Sequence, residues 1–348
     1  MAFRTLIASA FAAPPPVPLH LAHPAALRRR RAALACGAWA LGLPAFWLPA
    51  PARASDSTAP DGVFPRTITH EAGQTLLSQA PQRVAVLSTG QVDGLLTLGV
   101  VPVGATRDDR GSPLPGYLRQ VFARQQTSFA QVQDLGTRLT PDLEALAALA
   151  PDLILANRAA TAPAALRQYQ RIAPVVLTRG RGEHWRADFL LLADALGKRQ
   201  QAQAWMAAFQ RDARAFAQAW AAAGGAPQVS FVQAGGGRIR LMGLRSFVGD
   251  IAQGMGLARP PGQRFARTSQ DIGAERLDLA DGDWLFYGAR GDGVRVFTAS
   301  PLWRHLGAVA AGHARRVDYD AFYMNAGPSA ARIVMATLAA ALPPAAAV

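Results

Sequence analysis

The chain has 348 residues, 50% of them hydrophobic, and 36 Lys+Arg against 23 Asp+Glu, for a formal net charge of +13. That hydrophobic fraction excludes a mainly disordered chain, and the length exceeds one small core but falls short of three typical domains. The single cysteine, Cys36, excludes a disulfide scaffold and a cysteine zinc site, and the 6 scattered histidines offer no grouped metal-ligand set.

The positive charge is uneven. Residues 1–54 hold Arg4, Arg28, Arg29, Arg30, Arg31 and Arg53 and no acid. After the arginine run comes a mildly apolar stretch, then Ala52-Arg53-Ala54, the small-x-small pattern that signal peptidase reads. Residues 1–54 are therefore expected to be a removed export signal resembling the twin-arginine type, which places the mature chain, from Ser55, in the periplasm. Pro44, Pro49 and Pro51 interrupt the stretch, whereas a spanning helix needs about 20 strongly apolar residues.

In the mature chain, short apolar runs at 83–87, 102–105, 153–156 and 175–177 read as strands, and helical spacing appears at 91–98, 143–149 and 164–171. From 183 to 223 there is no strand signal, only helix formers with one break at Gly197. Trp205, Phe209, Phe216 and Trp220 form one stripe over 198–223, a helix of about 39 Å at 1.5 Å per residue. Gly224-Gly225 is its expected C-cap. Strand signals resume at 229–233, 239–242 and 284–287, with helices at 247–255 and 329–342. This alternation predicts an α/β chain of two lobes with mostly parallel sheets, connected by one long backbone helix. The expected organisation is an N-terminal lobe at 55–182, a helical linker at 183–225 and a C-terminal lobe at 226–348.

Ligands of open α/β sheets gather at the carboxyl ends of strands. The candidates there are Ser88, Thr89, Arg107 and Arg158 in the first lobe, and Arg238, Arg245, Phe265, Arg290, Phe322 and Tyr323 in the second. Asp108-Asp109, in a Pro/Gly-flanked loop, reads as solvated. No G-x-S-x-G elbow and no phosphate-binding G-x-x-x-x-G-K-[ST] loop occurs, so an exported hydrolase has no positive support. The arginines are dispersed rather than gathered on one helix or arm, which with export argues against nucleic acid as a partner.

Several phrases, in order, carry a resemblance: PQRVAVL and GLLTLGVVPVG within 81–104, DLGTRLTPDLEAL at 134–146, APDLILA at 150–156, RIAPVV at 171–176 and SPLWRHLGAVAAGHARRVD at 300–318. Together they resemble the periplasmic binding proteins for iron–siderophore complexes, most closely the ferric hydroxamate branch, over nearly all of the mature chain. The resemblance implies a class III periplasmic binding protein fold and a carrier rather than an enzyme. Its ligand would be a ferric siderophore in the cleft between lobes, with the iron held by the siderophore and no cofactor or direct metal ligand. The implied partner is an inner-membrane ABC permease with its ATPase, and a monomer is expected.

Arg138, directly after DLGT, stands where hydroxamate-binding relatives place an arginine facing the chelating oxygens; a planar fork of donors suits such acceptors. Glu144 and Glu275, each at a helix start and one per lobe, match the acids with which relatives dock arginines of the permease. Two departures favour a more anionic chelate. Asn157-Arg158-Ala159-Ala160 stands where relatives have a tyrosine, and Phe265, Ala321 and Phe322 stand where they have tryptophan. The alternative within the same fold is haem or cobalamin, with Tyr323 or Tyr319 available to a haem iron.

Overall fold

Leucine, isoleucine and valine runs, buried on both faces, form the centres of two sheets in the computed structural model, which describes residues 59–108, 111–235 and 238–343. The expected export signal at 1–54 and Asp109 lie outside the described residues.

The chain enters through a hairpin of β1 (Arg66–His70) and β2 (Gly73–Leu77). The first sheet follows: β3 (Val84–Val86), β4 (Gly104–Arg107), β5 (Gln133–Thr137), β6 (Leu153–Asn157) and β7 (Val175–Thr178), in the order β5-β4-β3-β6-β7 and parallel throughout. Every position of β6 is buried, as helices on both faces require. Its connecting helices include α1 (Thr89–Thr97), α2 (Leu143–Ala148) and α3 (Pro163–Gln170).

The linker is helical as expected, in two pieces, α4 (Trp185–Ala195) and α5 (Arg199–Ala222), broken at Gly197. The buried face of α5 is Ala202, Met206, Phe209, Ala213 and Phe216, spaced alternately by four and three. Trp205 stacks on Phe209 with ring centroids 5.5 Å apart. Gly224 and Gly225 end the helix with φ of +94° and +121°.

The second sheet holds β8 (Val229–Gly235), β9 (Arg238–Met242), β10 (Ser269–Ile272), β11 (Trp284–Ala289) and β12 (Ala314–Arg316), in the order β10-β9-β8-β11-β12. It is mixed: β8, β11 and β12 run parallel, while β9 and β10 are antiparallel to their neighbours. The link from β8 to β9 is too short for a crossover, so those two strands must reverse. Ser246 then caps α6 (Phe247–Gly254), accepting the Gly249 N–H at 2.9 Å.

One continuous core runs from Val84 and Leu155 of the first sheet through Phe189 and Phe209 of the linker to Phe231 and Phe286 of the second. The final helix, α7 (Pro328–Ala341), packs on both α1 and α6, so it ties the halves together a second time. The fully buried Asp93 of α1 accepts the N–H groups of Ser329 and Ala330, at 2.8 and 2.9 Å, and the Tyr117 hydroxyl at 3.1 Å. A carboxylate of one lobe thus satisfies buried donors at the start of a helix in the other that have no partner within that helix. Among the described residues no helix is long and apolar enough to cross a membrane.

Candidate functional site

In the first sheet the connections diverge from β3, toward β4 on one side and β6 on the other, leaving a crevice beyond the carboxyl ends of the strands. A cavity of about 330 Å³ lies there, between the lobes. Ser88, Thr89, Gln91, Arg138, Asn157 and Thr178 line it from the first lobe, Met242, Phe247, Thr268, Phe322 and Tyr323 from the second, and Trp185 and Phe189 from α4. The floor is apolar and aromatic; the first-lobe wall is polar.

Arg138 owes its position to the residues before it. Asp134 accepts the Gly136 N–H at 2.9 Å through one oxygen and the Arg107 Nε at 2.9 Å through the other. Gly136 adopts φ +78°, which disfavours any side chain, and the Arg138 N–H donates to the Arg107 carbonyl at 2.9 Å. Arg138 therefore leaves the end of β5 at a fixed angle. Its Nε is buried without a hydrogen-bond partner, and among the described residues its guanidinium makes no ion pair.

The structure brings Ser88, Thr89, Arg138, Phe322 and Tyr323 to the cavity wall; Arg107, Arg158, Arg238, Arg245, Phe265 and Arg290 do not border it. Most of those arginines are already neutralised. Arg107 pairs with Asp134 at 2.9 Å, Arg238 with Asp271 at 3.8 Å and Arg245 with Glu183 at 2.8 Å. Arg158 is exposed, and Phe265 packs beneath the Arg267 guanidinium at 5.5 Å. Arg290, in the second lobe, pairs with Asp320 beside it and with Asp108 of the first lobe, and stacks on Tyr319 at 4.7 Å. Asp108, expected to be solvated, is instead buried by this contact.

The Asp108–Arg290 pair is an ionic strap between lobes. Arg290→Ala leaves two carboxylates without their shared cation and is expected to lower the unfolding free energy by about 1–2 kcal/mol. Chemical denaturation checks this; an unchanged midpoint would show that the strap contributes nothing.

Gln91, Thr178, Trp185 and Phe247, which carried no signal as ligand residues in the sequence, also face the cavity, as does Asn157, noted there only as a departure. Gln91 donates to the Ala156 carbonyl at 2.8 Å and to Thr178 Oγ1 at 3.0 Å, fixing the ends of β6 and β7. Asn157, which the resemblance sets against a tyrosine, donates to Ser88 Oγ and accepts the Ala160 N–H at 2.8 Å. It therefore shapes the wall rather than projecting a ring. Trp185 Nε1 donates to Asp250 at 2.8 Å, and its ring meets Phe247 edge-on at 5.7 Å, which joins the linker to the second lobe at the cavity floor. Trp185 opens α4 after the 3₁₀ turn Gly182–His184, too far past the end of β7 for strand-end position to mark it.

Glu144 lies exposed in the first turn of α2, behind its cap Asp142, and Glu275 lies exposed in the first turn of the 3₁₀ segment Ala274–Ala280. Among the described residues neither makes an ion pair, and no group of three or more His, Cys, Asp or Glu could hold a metal ion.

The sequence model of the periplasmic binding protein family matches residues 84–321, which spans both sheets and the cavity lining up to the segment that begins at Phe322. The chain belongs to the periplasmic binding protein family. Similar curated members include the probable siderophore-binding lipoprotein YfiY of Bacillus subtilis, 28% identical over 278 residues, covering 75% of this chain and 82% of that protein. The Fe(3+) dicitrate-binding periplasmic protein FecB of Escherichia coli is 27% identical over 278 residues, covering 78% of this chain and 89% of its own. Among solved structures, SirA of Staphylococcus aureus complexed with staphyloferrin B has the same fold, with a TM-score of 0.69 at 22% identity, over 79% of this chain and 98% of that one. Two α/β lobes around a long helix are thus the fold of this binding protein.

Proposed function

We propose that this binding protein captures a ferric siderophore in the interlobe cavity and delivers it to an inner-membrane ABC permease for iron uptake. The observation that carries the reading is Arg138: an unpaired guanidinium on a polar wall, facing an aromatic floor, inside a family whose similar members are named for siderophore and ferric dicitrate binding. A guanidinium without an acid suits chelating oxygens that carry negative charge. The protein works from the periplasm as a carrier, the iron stays within its chelator, and no side chain of the chain ligates it.

Haem is the weaker alternative. The Tyr323 hydroxyl donates to the Phe286 carbonyl at 3.0 Å and burial pushes its pKa up, so the phenolate that a haem iron takes is disfavoured. Tyr319 is engaged by Gln233 at 2.7 Å.

Delivery rests on Glu144 and Glu275, one exposed acid per lobe, as contacts for the two permease subunits. Cells lacking the gene are expected to lose uptake of radiolabelled ferric siderophore and to regain it with the wild-type chain. The Glu144→Ala, Glu275→Ala double variant should not restore uptake, yet should bind the chelate in solution unchanged. Normal uptake in the deletion strain would overturn the carrier reading, and normal uptake with the double variant would overturn the docking contacts.

A further inference from the structure

Arg181 is the second unpaired arginine on the cavity wall, and no sequence phrase pointed to it. Among the described residues it makes no side-chain hydrogen bond or ion pair, and its side chain is exposed. By contrast Arg107, Arg179, Arg238, Arg240, Arg245 and Arg290 each have an acid within 4.0 Å. The positive character of the cavity is therefore local to Arg138 and Arg181, and does not follow from the high overall charge.

The loop that carries Arg181 is held from both sides. Gly180 has φ +75°, and a Cβ there would lie 2.4 Å from the Asn157 Cβ. A Cβ on Gly182 would lie 2.8 Å from the Phe247 backbone nitrogen. Only glycine fits at either position. Asp188, the one acid on the cavity wall, is spent on this loop: its two oxygens accept the N–H groups of Arg179 and Gly180 at 3.1 and 2.8 Å. Both Asp188 oxygens are thus committed to backbone donors of this loop rather than to the Arg181 guanidinium. Arg181 thus stands where the first lobe passes into the linker, while Arg138 stands at the end of β5.

We infer that Arg181 and Arg138 form a two-guanidinium seat for carboxylate groups, so that the chelate this cleft takes is a net-anionic ferric polycarboxylate rather than a neutral ferric trihydroxamate. This inference rests on the siderophore reading above and narrows it. Two planar forks on the first-lobe side of the cavity can each take a carboxylate in bidentate fashion. A neutral trihydroxamate offers its chelating oxygens to Arg138 but no carboxylate to Arg181, so it forgoes the second charge-assisted contact and binds less tightly.

The test titrates the purified protein, and its Arg181→Gln and Arg181→Lys variants, with ferric citrate and with a neutral ferric trihydroxamate, following tryptophan fluorescence. Arg214→Gln, on the exposed face of α5, is the control, and thermal melts confirm folding of each variant. Wild type is expected to prefer ferric citrate. Arg181→Gln should weaken ferric citrate about tenfold or more, the loss of one charge-assisted hydrogen-bonded pair. Arg181→Lys should recover part of that loss, and trihydroxamate binding should change less than about twofold, since no carboxylate contact is removed. Unchanged ferric citrate affinity in Arg181→Gln, or a wild-type preference for the trihydroxamate, would overturn the inference while leaving the siderophore reading in place. Failure of every ferric chelate to bind would overturn both.

Discussion

Asp194→Ala is expected to cost about 3–5 kcal/mol of unfolding free energy, because it strands a buried cation. Arg66 begins β1 and is only 3% exposed. Its guanidinium donates to the carbonyls of Pro60, Val63 and Asp194 at 2.6, 3.0 and 2.8 Å and pairs with the Asp194 carboxylate at 3.2 Å. The carbonyls satisfy the donors, but only the carboxylate balances the charge. This pair ties the entry hairpin to α4, the helix that also places Trp185 and Phe189 at the cavity floor. Urea denaturation reads the loss directly. A change below about 1 kcal/mol would mean that the pair behaves like an exposed surface bridge.

Arg138→Ala is expected to weaken ferric-siderophore binding by about ten- to a hundredfold while leaving the fold intact. A charge-assisted hydrogen bond contributes about 1.5–3 kcal/mol, and no contact within the described residues depends on this guanidinium. Equilibrium titration and a thermal melt of the same variant check both halves of the statement. Unchanged affinity would remove Arg138 from the site; a collapsed melt would assign it a structural role.

The elements legible in the sequence were those with a strong period or a continuous apolar run. The stripe of α5 and the apolar strands β3, β6 and β7 are of this kind. The strands that escaped notice are mostly sheet edges. Gln133–Thr137, Ser269–Ile272 and Ala314–Arg316 each bury few side chains, so neither alternation nor an apolar run marks them. The β1 strand escaped because it opens with an arginine, a residue that composition assigns to the surface and that only Asp194, far along the chain, makes tolerable inside.

The same long-range pairing limits how far the site could be read. Strand-end position brings Ser88 and Thr89 to the cavity but also proposes arginines that do not border it, because whether an arginine is free depends on acids brought in by the fold. Arg290 meets Asp108 and Arg245 meets Glu183 only in three dimensions. Arg138 was named through a resemblance, by its place directly after DLGT; the physical job of that phrase emerges only in the fold, where Asp134 and Gly136 set the turn that aims it. Arg181 had no such phrase, since the two glycines beside it gain their meaning from Asn157 and Phe247.

An iron-loaded chelate in the interlobe cavity should report itself through the protein's own fluorescence. Trp185 lies on the floor of that cavity, so the direct measurement is a fluorescence titration of the purified protein with one siderophore in its ferric and iron-free forms. Saturable quenching by the ferric form is expected, with a dissociation constant of ~1 μM or tighter, and none by the iron-free form at the same concentrations. Equal quenching by both forms, or by neither while haem quenches, would contradict it.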